Sequence, residues 1–419
     1  MTAGTGLIDE PGRLRHALVR TLIDAGWLTD PAVVAALETV PRHVFVLQVP
    51  VQQAYANDVV HTKLDADGRP ISAASQPRIV AMMLQQAAIR AGDRVLEIGA
   101  GTGYNAALVA ALAGLTGQVT TVDVDADIVD AAAEHLKAAG YGSVRVVCGD
   151  GALGYPPGAP FDVVIATVGA WDLPACWLEQ VAVGGRLVVP QRIRGGMTRS
   201  VVYQRSSGGG WVSVDSQMCG FMPLRGGAAA DPHGSLDLSG DGLVRIDVYQ
   251  DQHIDGEALA GVLDTPRVQL RTGVRFGGQD SLEWLWLWLA CALPGGLSAL
   301  QTDQTPRDEG LVLAPYRVWT MATTRRGALA YVTLLPPVDD GDGRGTEVAV
   351  VGHGPGGDLL AEQVAAEVVR WDRQYRDQLV WFAVGPAGTA IGTDHDTAGS
   401  FVFAMPSGRL KVRWSDAAD

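Results

Sequence analysis

Three short stretches of the chain carry residues able to do chemistry. In Val95-Leu-Glu-Ile-Gly-Ala-Gly-Thr-Gly-Tyr104 an apolar run ends in glycines at 99, 101 and 103. A buried strand, a turn without side chains and an immediate helix let backbone approach a ligand at the strand's C-terminal edge. Glu97 sets a carboxylate beside one end of that ligand, which suits a cationic group better than a pyrophosphate. About twenty residues beyond Gly103, Asp123 closes a second apolar run, where an acid accepts hydrogen bonds from both ribose hydroxyls. Asp150 in Gly149-Asp-Gly151 closes a third and is placed to bond an adenine amino group. One acid at a strand end reads as a helix cap. Three at the tips of successive strands, beside a glycine loop, read as a nucleotide-type crevice.

The glycine spacing sharpens the ligand. A dinucleotide loop reads G-x-G-x-x-G, whereas here the third glycine comes one residue early and Tyr104 stands in the last position. The G-x-G-x-G loop of S-adenosylmethionine (SAM) methyltransferases fits better than an NAD loop. SAM is the expected cofactor and S-adenosyl-L-homocysteine the expected product. An NAD-linked oxidoreductase is the competing reading that the spacing disfavours.

Elements must position these residues. Strands are expected at 94–98, 118–122, 143–148, 161–166 and 185–190, with helices at 104–113, 126–139 and 174–180 between them. Continuous apolar strands separated by helices mean a parallel sheet covered on both faces. Before them, Leu14, Leu18 and Leu22, then Val33, Val34 and Leu37, recur at helical spacing around a Thr29-Asp30-Pro31 cap signal. Beyond Pro190, alternating pieces at 200–204 and 211–214, joined by a turn at 206–210, extend the sheet antiparallel. The stretch Arg225-Gly-Gly-Ala-Ala-Ala-Asp-Pro232 has linker composition. The expected fold is therefore α/β, with a Rossmann-like, mostly parallel catalytic domain at 1–225. A C-terminal α+β domain follows at 233–419, with helices at 257–263 and 357–373 and strands at 244–249, 348–351, 379–384, 401–403 and 409–414.

The 419 residues are 47% hydrophobic and 19% charged, which excludes a disordered chain and suits two or three packed domains. With 32 basic and 46 acidic residues the formal charge is -14. That field repels phosphate backbones and anionic surfaces, so neither nucleic acid nor membrane is an expected partner. Cys148, Cys176, Cys219 and Cys291 form no Cys-x-x-Cys pair, and no histidine stands at ligand spacing. No metal is expected, and a reduced, cytoplasmic protein is. Met1–Glu10 lacks the basic head and apolar core of a secretion signal, and no apolar run reaches the ~18 residues of a membrane span.

A family resemblance runs from about Leu14 to Pro190. Val40-Pro-Arg-His-Val-Phe45 resembles the V-P-R-x-x-F segment of the protein-L-isoaspartate O-methyltransferases. Ser72-Ala-Ala-Ser-Gln-Pro77 with Ile79-Val-Ala-Met resembles their T-I-S-x-P-x-x-V-A-x-M motif. Val95–Tyr104 resembles V-L-E-I-G-x-G-x-G-Y, and Gly149-Asp-Gly151 resembles G-D-G. Leu178-Glu-Gln with Gly184-Gly-Arg-Leu-Val-Val-Pro190 resembles the closing L-x-Q-L-x-x-G-G-R-x-V-x-P. The resemblance implies that Ser75 is the active-site serine. It also implies that Ser72, Ala73, Ala74 and Ser75 lie along the cofactor, and that Glu97, Ile98, Gly99, Ala100, Gly101, Gly103, Asp123, Val124, Asp150 and Gly151 line its pocket.

Two departures bear on the substrate. The family's Thr-Ile before the serine is Ala73-Ala74 here, and the family's usual chain ends soon after residue 225. Long relatives of this kind resemble enzymes encoded beside ribosomally made peptides such as lanthipeptides and graspetides, which methylate an ordinary aspartate. The expected partner is a peptide or protein bearing aspartate or isoaspartate, with oligomeric state left open, a monomer included. Peptide tailoring is the leading reading, repair of damaged isoaspartate the alternative, and a non-catalytic SAM- or peptide-binding protein the alternative from another class.

The chemistry needs no strong base, because a carboxylate with an ordinary pKa of about 3.9 is already ionised at neutral pH. The protein must position one carboxylate oxygen in line with the methyl group, and the Ser75 hydroxyl is suited to hold the other. The competing role for Ser75 is capping the helix that starts near Pro77. Once esterified, the side chain is attacked by the next backbone nitrogen, methanol leaves and a succinimide forms, whose hydrolysis gives aspartate or isoaspartate. Elsewhere, Leu282–Leu289 reads as a buried helix or strand, with a groove for an aromatic side chain as the lesser reading. His353 in Gly352-His-Gly-Pro-Gly-Gly357 reads as a turn, with an anion cradle as the lesser reading, and acidic 339–343 as a solvated hairpin tip.

Overall fold

The computed structural model describes residues 9–206, 210–226, 233–249, 252–337, 345–386 and 398–416. Helices α1 (Glu10–Asp24) and α2 (Pro31–Thr39) open the chain. Asp9 accepts from the Gly12 N–H, Asp30 accepts from those of Ala32 and Val33, and each helix has a proline in its first turn. A one-turn α3 (Val51–Ala54) leads to an antiparallel hairpin, β1 (Val60–Leu64) and β2 (Pro70–Ala74), and then α4 (Pro77–Ala87). Sequence reading misses the hairpin because its strands are only five residues each and neither carries a run of large apolar or β-branched residues.

The expected alternation comes next. It comprises β3 (Arg94–Ile98), α5 (Tyr104–Ala113), β4 (Gln118–Asp123), α6 (Ala126–Ala138), β5 (Arg145–Cys148), β6 (Phe161–Ala166), α7 (Ala175–Gln180) and β7 (Val181–Arg192). These five strands are parallel, and β3 is flanked by β4 and β6. The antiparallel β8 (Thr198–Arg205) and β9 (Trp211–Met218) extend the sheet as expected. Of the linker, residues 227–232 lie outside the described residues, as do 207–209 of the turn between β8 and β9, and 339–343.

A second, wholly antiparallel sheet succeeds it. Its strands are β10 (His233–Asp237), β11 (Val244–Tyr249), β12 (Val268–Phe276), β13 (Ser298–Thr302), β14 (Thr320–Arg325), β15 (Ala328–Leu335) and β16 (Thr346–His353). They lie in the order β10-β11-β13-β14-β15-β16-β12. Interspersed are α8 (Glu283–Ala292), the short α9 (Gln304–Asp308) and α10 (Gly357–Gln374). The helix expected at 257–263 is a correction: turns occupy this stretch, followed by a 3-10 turn at Val262–Asp264. Gly261, at φ +70, sits where a helix would continue.

The chain then returns. Strands β17 (Leu379–Gly385), β18 (Ser400–Met405) and β19 (Gly408–Ser415) join the first sheet, β17 pairing with β9 at Ala383↔Val212 and Val384↔Trp211. The first sheet thus has ten strands in the order β18-β19-β17-β9-β8-β7-β6-β3-β4-β5. The expected division at 225–233 does not separate the sheets, because β17, from beyond it, covers the β9 edge that would otherwise stand unpaired, and β19 and β18 follow outside β17.

One apolar core joins both sheets, running from Ile98 and Val164 through Trp177 and Trp288 to Val350 and Trp371. Residues Leu285–Cys291 of α8 are all buried, so the helix shows no amphipathic stripe. Trp288 stacks on Tyr375 at 4.3 Å and meets Trp414 edge-on at 5.1 Å, tying α8 to the returning strands. A second core cluster packs α1, α2, α4 and α5 over the other face of the parallel strands.

Candidate functional site

The crevice forms where β3, β4 and β6 end, under two covers. Gly99, Gly101 and Gly103 carry φ values of +99, +50 and +86. A Cβ on Gly99 would lie 2.8 Å from Thr167 Oγ1, and one on Gly103 would lie 3.2 Å from Ala132 O and from Leu136 Cγ. Gly99 is therefore required for close passage of β6's end, and Gly103 for packing of α6. Gly101 faces Ala73 of the hairpin across the crevice. Its N–H donates to Asp123 Oδ2 at 3.1 Å, which fixes the loop against the end of β4.

Eleven of the expected residues line one pocket: Ser72 to Ser75, Ile98 to Gly101, Asp123, Val124 and Gly151. Three do not. Gly103 caps α5 and turns toward α6. Asp150 accepts from the Ala152 N–H in a short 3-10 turn and sits against Gly226. Glu97, expected beside the ligand, is fully buried beneath the loop. Its oxygens accept from Asn105 Nδ2 at 2.8 Å and Thr121 Oγ1 at 2.6 Å. Burial pushes its pKa up to about 7 against the pull of those two donors. Glu97 holds Asn105, and Asn105 is what reaches the pocket wall.

Ser75 follows β2 and precedes α4. The N-cap of α4 is Gln76, with no side-chain capping bond, so the Ser75 hydroxyl is not spent on the helix. The segment is held from below by Arg42. This fully buried guanidinium donates from Nε to Ala54 O at 2.8 Å and from Nη2 to Ala74 O at 3.4 Å, and lies 5.0 Å over the Tyr104 ring. Ser72, buried in β2, accepts from Thr62 Oγ1 at 3.0 Å.

Sequence reading misses the second cover. Phe221, Met222, Pro223, Leu224 and Arg225 cross the pocket as a strap. Gly169 N–H donates to Met222 O and Leu224 N–H to Gly169 O, both at 2.7 Å. Arg225 grips Asp125 from Nη2 at 2.9 Å, and Lys63 of the hairpin reaches the same carboxylate at 3.0 Å. These bonds, Arg225's first, hold the Asp125 carboxyl below its usual pKa. Strap and hairpin are thus latched to one acid at the start of α6. Only the Arg-Gly-Gly text was visible in sequence, and it reads as linker.

A cationic nucleoside fits this arrangement. Asp123 presents a carboxylate, Ile98, Val122, Leu224 and Phe221 supply apolar wall, and the glycine loop leaves backbone open. Among the described residues no three His, Cys, Asp or Glu side chains cluster as metal ligands, and no helix is long and apolar enough to cross a membrane. Burial pushes the Cys219 thiol up to about 12, which leaves it a poor nucleophile.

Residues 13–229 match the family model described as protein-L-isoaspartate(D-aspartate) O-methyltransferase. The chain is 40% identical over 176 residues to a protein-L-isoaspartate O-methyltransferase of Ignicoccus hospitalis, covering 42% of this chain and 81% of that one. It is 38% identical over 218 residues to protein-L-isoaspartate O-methyltransferase 1 of Rhodopseudomonas palustris, covering 51% and 83%. A solved structure named protein-L-isoaspartate O-methyltransferase is 21% identical with a TM-score of 0.49, covering 88% of this chain and 96% of that one. Another, from Plasmodium falciparum in complex with S-adenosyl-L-homocysteine, is 17% identical with a TM-score of 0.44, covering 50% and 98%.

Proposed function

The chain belongs to the protein-L-isoaspartate(D-aspartate) O-methyltransferase family and is a SAM-dependent methyltransferase, and from that premise we propose that it esterifies the free carboxylate of isoaspartyl residues in peptides or proteins. The observation that carries this reading is Ser75, standing in the pocket beside the glycine loop with its hydroxyl free of helix capping. SAM, when bound, supplies an electrophilic methyl group on a sulfonium centre. Asp123 would accept from its ribose hydroxyls, and the apolar wall and strap would keep water from its nucleoside. Ser75 donates to one carboxylate oxygen of the substrate and leaves the other to react. No residue need remove a proton, since the carboxylate arrives ionised.

A second reading is favoured by one observation. Ala73 and Ala74 put only methyl groups in the pocket wall where the family pattern has Thr-Ile. A smaller wall leaves room for an ordinary aspartate, whose carboxylate stands one methylene farther from the main chain than that of isoaspartate, as in the long family members that tailor ribosomally made peptides toward succinimide or isoaspartate. Matched peptides containing aspartate or isoaspartate at one position, incubated with labelled SAM, separate the two. Transfer to an unrelated isoaspartyl peptide supports the first reading. Transfer confined to an aspartyl peptide supports the second, and transfer to neither sinks both.

A further inference from the structure

A groove of about 880 Å³ lies between the two sheets, next to the cofactor pocket. That volume is near the upper end for ligand sites, about 300–1,000 Å³. Its floor is Tyr249, Phe276, Trp286 and Met321, all buried, and its rim is Met218, Tyr316, Val318 and Trp319, all about half exposed. Trp319, 54% exposed, stands edge-on to Trp286 at 5.9 Å. Phe221 lines both this groove and the cofactor pocket, so the two share a wall.

The acids in the groove wall are already matched. Glu283 receives Arg199 at 2.6 Å, Asp280 receives Arg376 at 3.1 Å, and Asp247 accepts from Gln301 Nε2 at 2.8 Å. A charged occupant would lose hydration without finding a free partner among these acids, whereas an apolar one covers aromatic surface. Half-exposed tryptophan, tyrosine, valine and methionine converging on one cleft are the surface that single scattered apolar residues do not make.

We propose that this groove binds a stretch of the substrate peptide carrying large aliphatic or aromatic side chains close to the residue that is methylated. The proposal rests on the peptide-methylation reading. A carboxylate presented to Ser75 hangs from a backbone that has to leave the pocket, and past Phe221 it enters the groove. Extended chain advances about 3.3 Å per residue, so the side chains concerned are the few nearest the target. The ten-stranded sheet would then set the chemistry and the seven-stranded sheet the choice of substrate.

The test uses fluorescently labelled peptides with one isoaspartyl-glycine centre, flanked on either side by Trp-Leu-Phe or by Ala-Ser-Ala. Binding to the full chain with S-adenosyl-L-homocysteine is read by polarisation, and methyl transfer from SAM is read as kcat/KM. The expected result is a preference of about tenfold or more for the apolar flank, falling to about twofold in Trp319→Ala and in Val318→Asp. Leu359→Ser, on the exposed face of α10 outside the groove, keeps the preference. A wild-type protein that treats both peptides alike, or a preference that survives both groove variants, overturns the proposal. So does a dimer that Trp319→Ala splits in light scattering, since the groove would then be a self-interface. If neither peptide is methylated but the binding preference and its loss are seen, the groove stands and the methylation reading falls.

Discussion

In the ten-stranded sheet, β3, β4 and β6 finish at one edge, and at those ends stand Gly99, Asp123 and Thr167, all lining the pocket. In the seven-stranded sheet neighbouring strands run in opposite directions, and among the groove-lining residues it contributes are the rings of Tyr249 and Phe276, with Trp319 just ahead of β14. The cause is topological. Parallel strands gather their C-terminal ends, with helix N-termini and loops, on one side, while antiparallel strands scatter them. The first arrangement concentrates hydrogen-bonding groups and suits chemistry, and the second leaves a broad apolar surface and suits recognition. Their shared core makes the two parts one body, and substitutions in the core, the crevice and the hairpin put that division to the test.

Trp288→Ala should cost the most, about 3 to 5 kcal/mol, as for other large aromatic truncations in cores. Its ring touches Tyr375, Phe401 and Trp414, and its Nε1–H donates to Glu367 at 3.1 Å. Urea unfolding followed by fluorescence and circular dichroism should show a single transition shifted to lower denaturant. Two separated transitions would break the picture of one body.

Glu97→Gln comes next and carries a pH signature. The folded protein raises this carboxyl from 4.5 to about 7, so it binds the proton more tightly than the unfolded chain does. The stability linked to that proton is full below about 4.5 and is lost as pH rises through about 7; at about 1.4 kcal/mol per pH unit the ceiling is about 3 to 4 kcal/mol. The variant, with no charge to bury, should match the wild type near pH 4.5 and exceed it at pH 8. Melting temperatures across that range check it, and a constant difference at all pH values would remove the buried-charge account.

Asp123→Ala ranks third, on the chemical side of the comparison. It removes the carboxylate that holds Gly101 N–H and faces the pocket. Hydrogen bonds to a charged group contribute about 1.5 to 3 kcal/mol, so SAM should bind about 10- to 100-fold more weakly by calorimetry. Peptide binding in the groove should change little. An equal loss at both sites would erase the distinction between them.

The chemical side was the legible one. Glycines at 99, 101 and 103 and acids at 97, 123 and 150 are chain-local signals, because a strand, its turn and the following helix are consecutive. Even there the sequence misassigned orientation. Whether Glu97 points into the crevice or beneath it depends on Thr121 and Asn105, which are remote or unremarkable in text. Of the strap at 221–225 only Arg225 fell in a stretch that was read, as the start of the linker 225–232, because the strap's role comes from Gly169 and Asp125, far away in the chain. The return of β17, β18 and β19 to the first sheet was illegible for the same reason, since pairing of β17 with β9 leaves no mark in either strand. The groove was legible only in part: Trp286 falls in the Leu282–Leu289 run, whose lesser reading was a groove for an aromatic side chain, whereas Tyr249, Phe276 and Trp319 come from separate strands and a loop and carry no motif.

The most specific effect is also the least in size. Ser75→Ala should lower kcat about tenfold, the value of one hydrogen bond to a charged oxygen, with little change in SAM affinity. The helix after it gives the control. Because α4 is capped at Gln76 without a side-chain bond, removing the hydroxyl leaves that helix as stable as before, and the melting temperature should hold within about 1 °C. A fall in melting temperature with kcat unchanged would return Ser75 to a capping role and leave the carboxylate to be positioned by other groups on the hairpin. A fall in kcat at constant stability, equal for peptides with apolar and with small flanks, would place Ser75 on the chemical side alone. An unequal fall would mean that the pocket and the groove are read together.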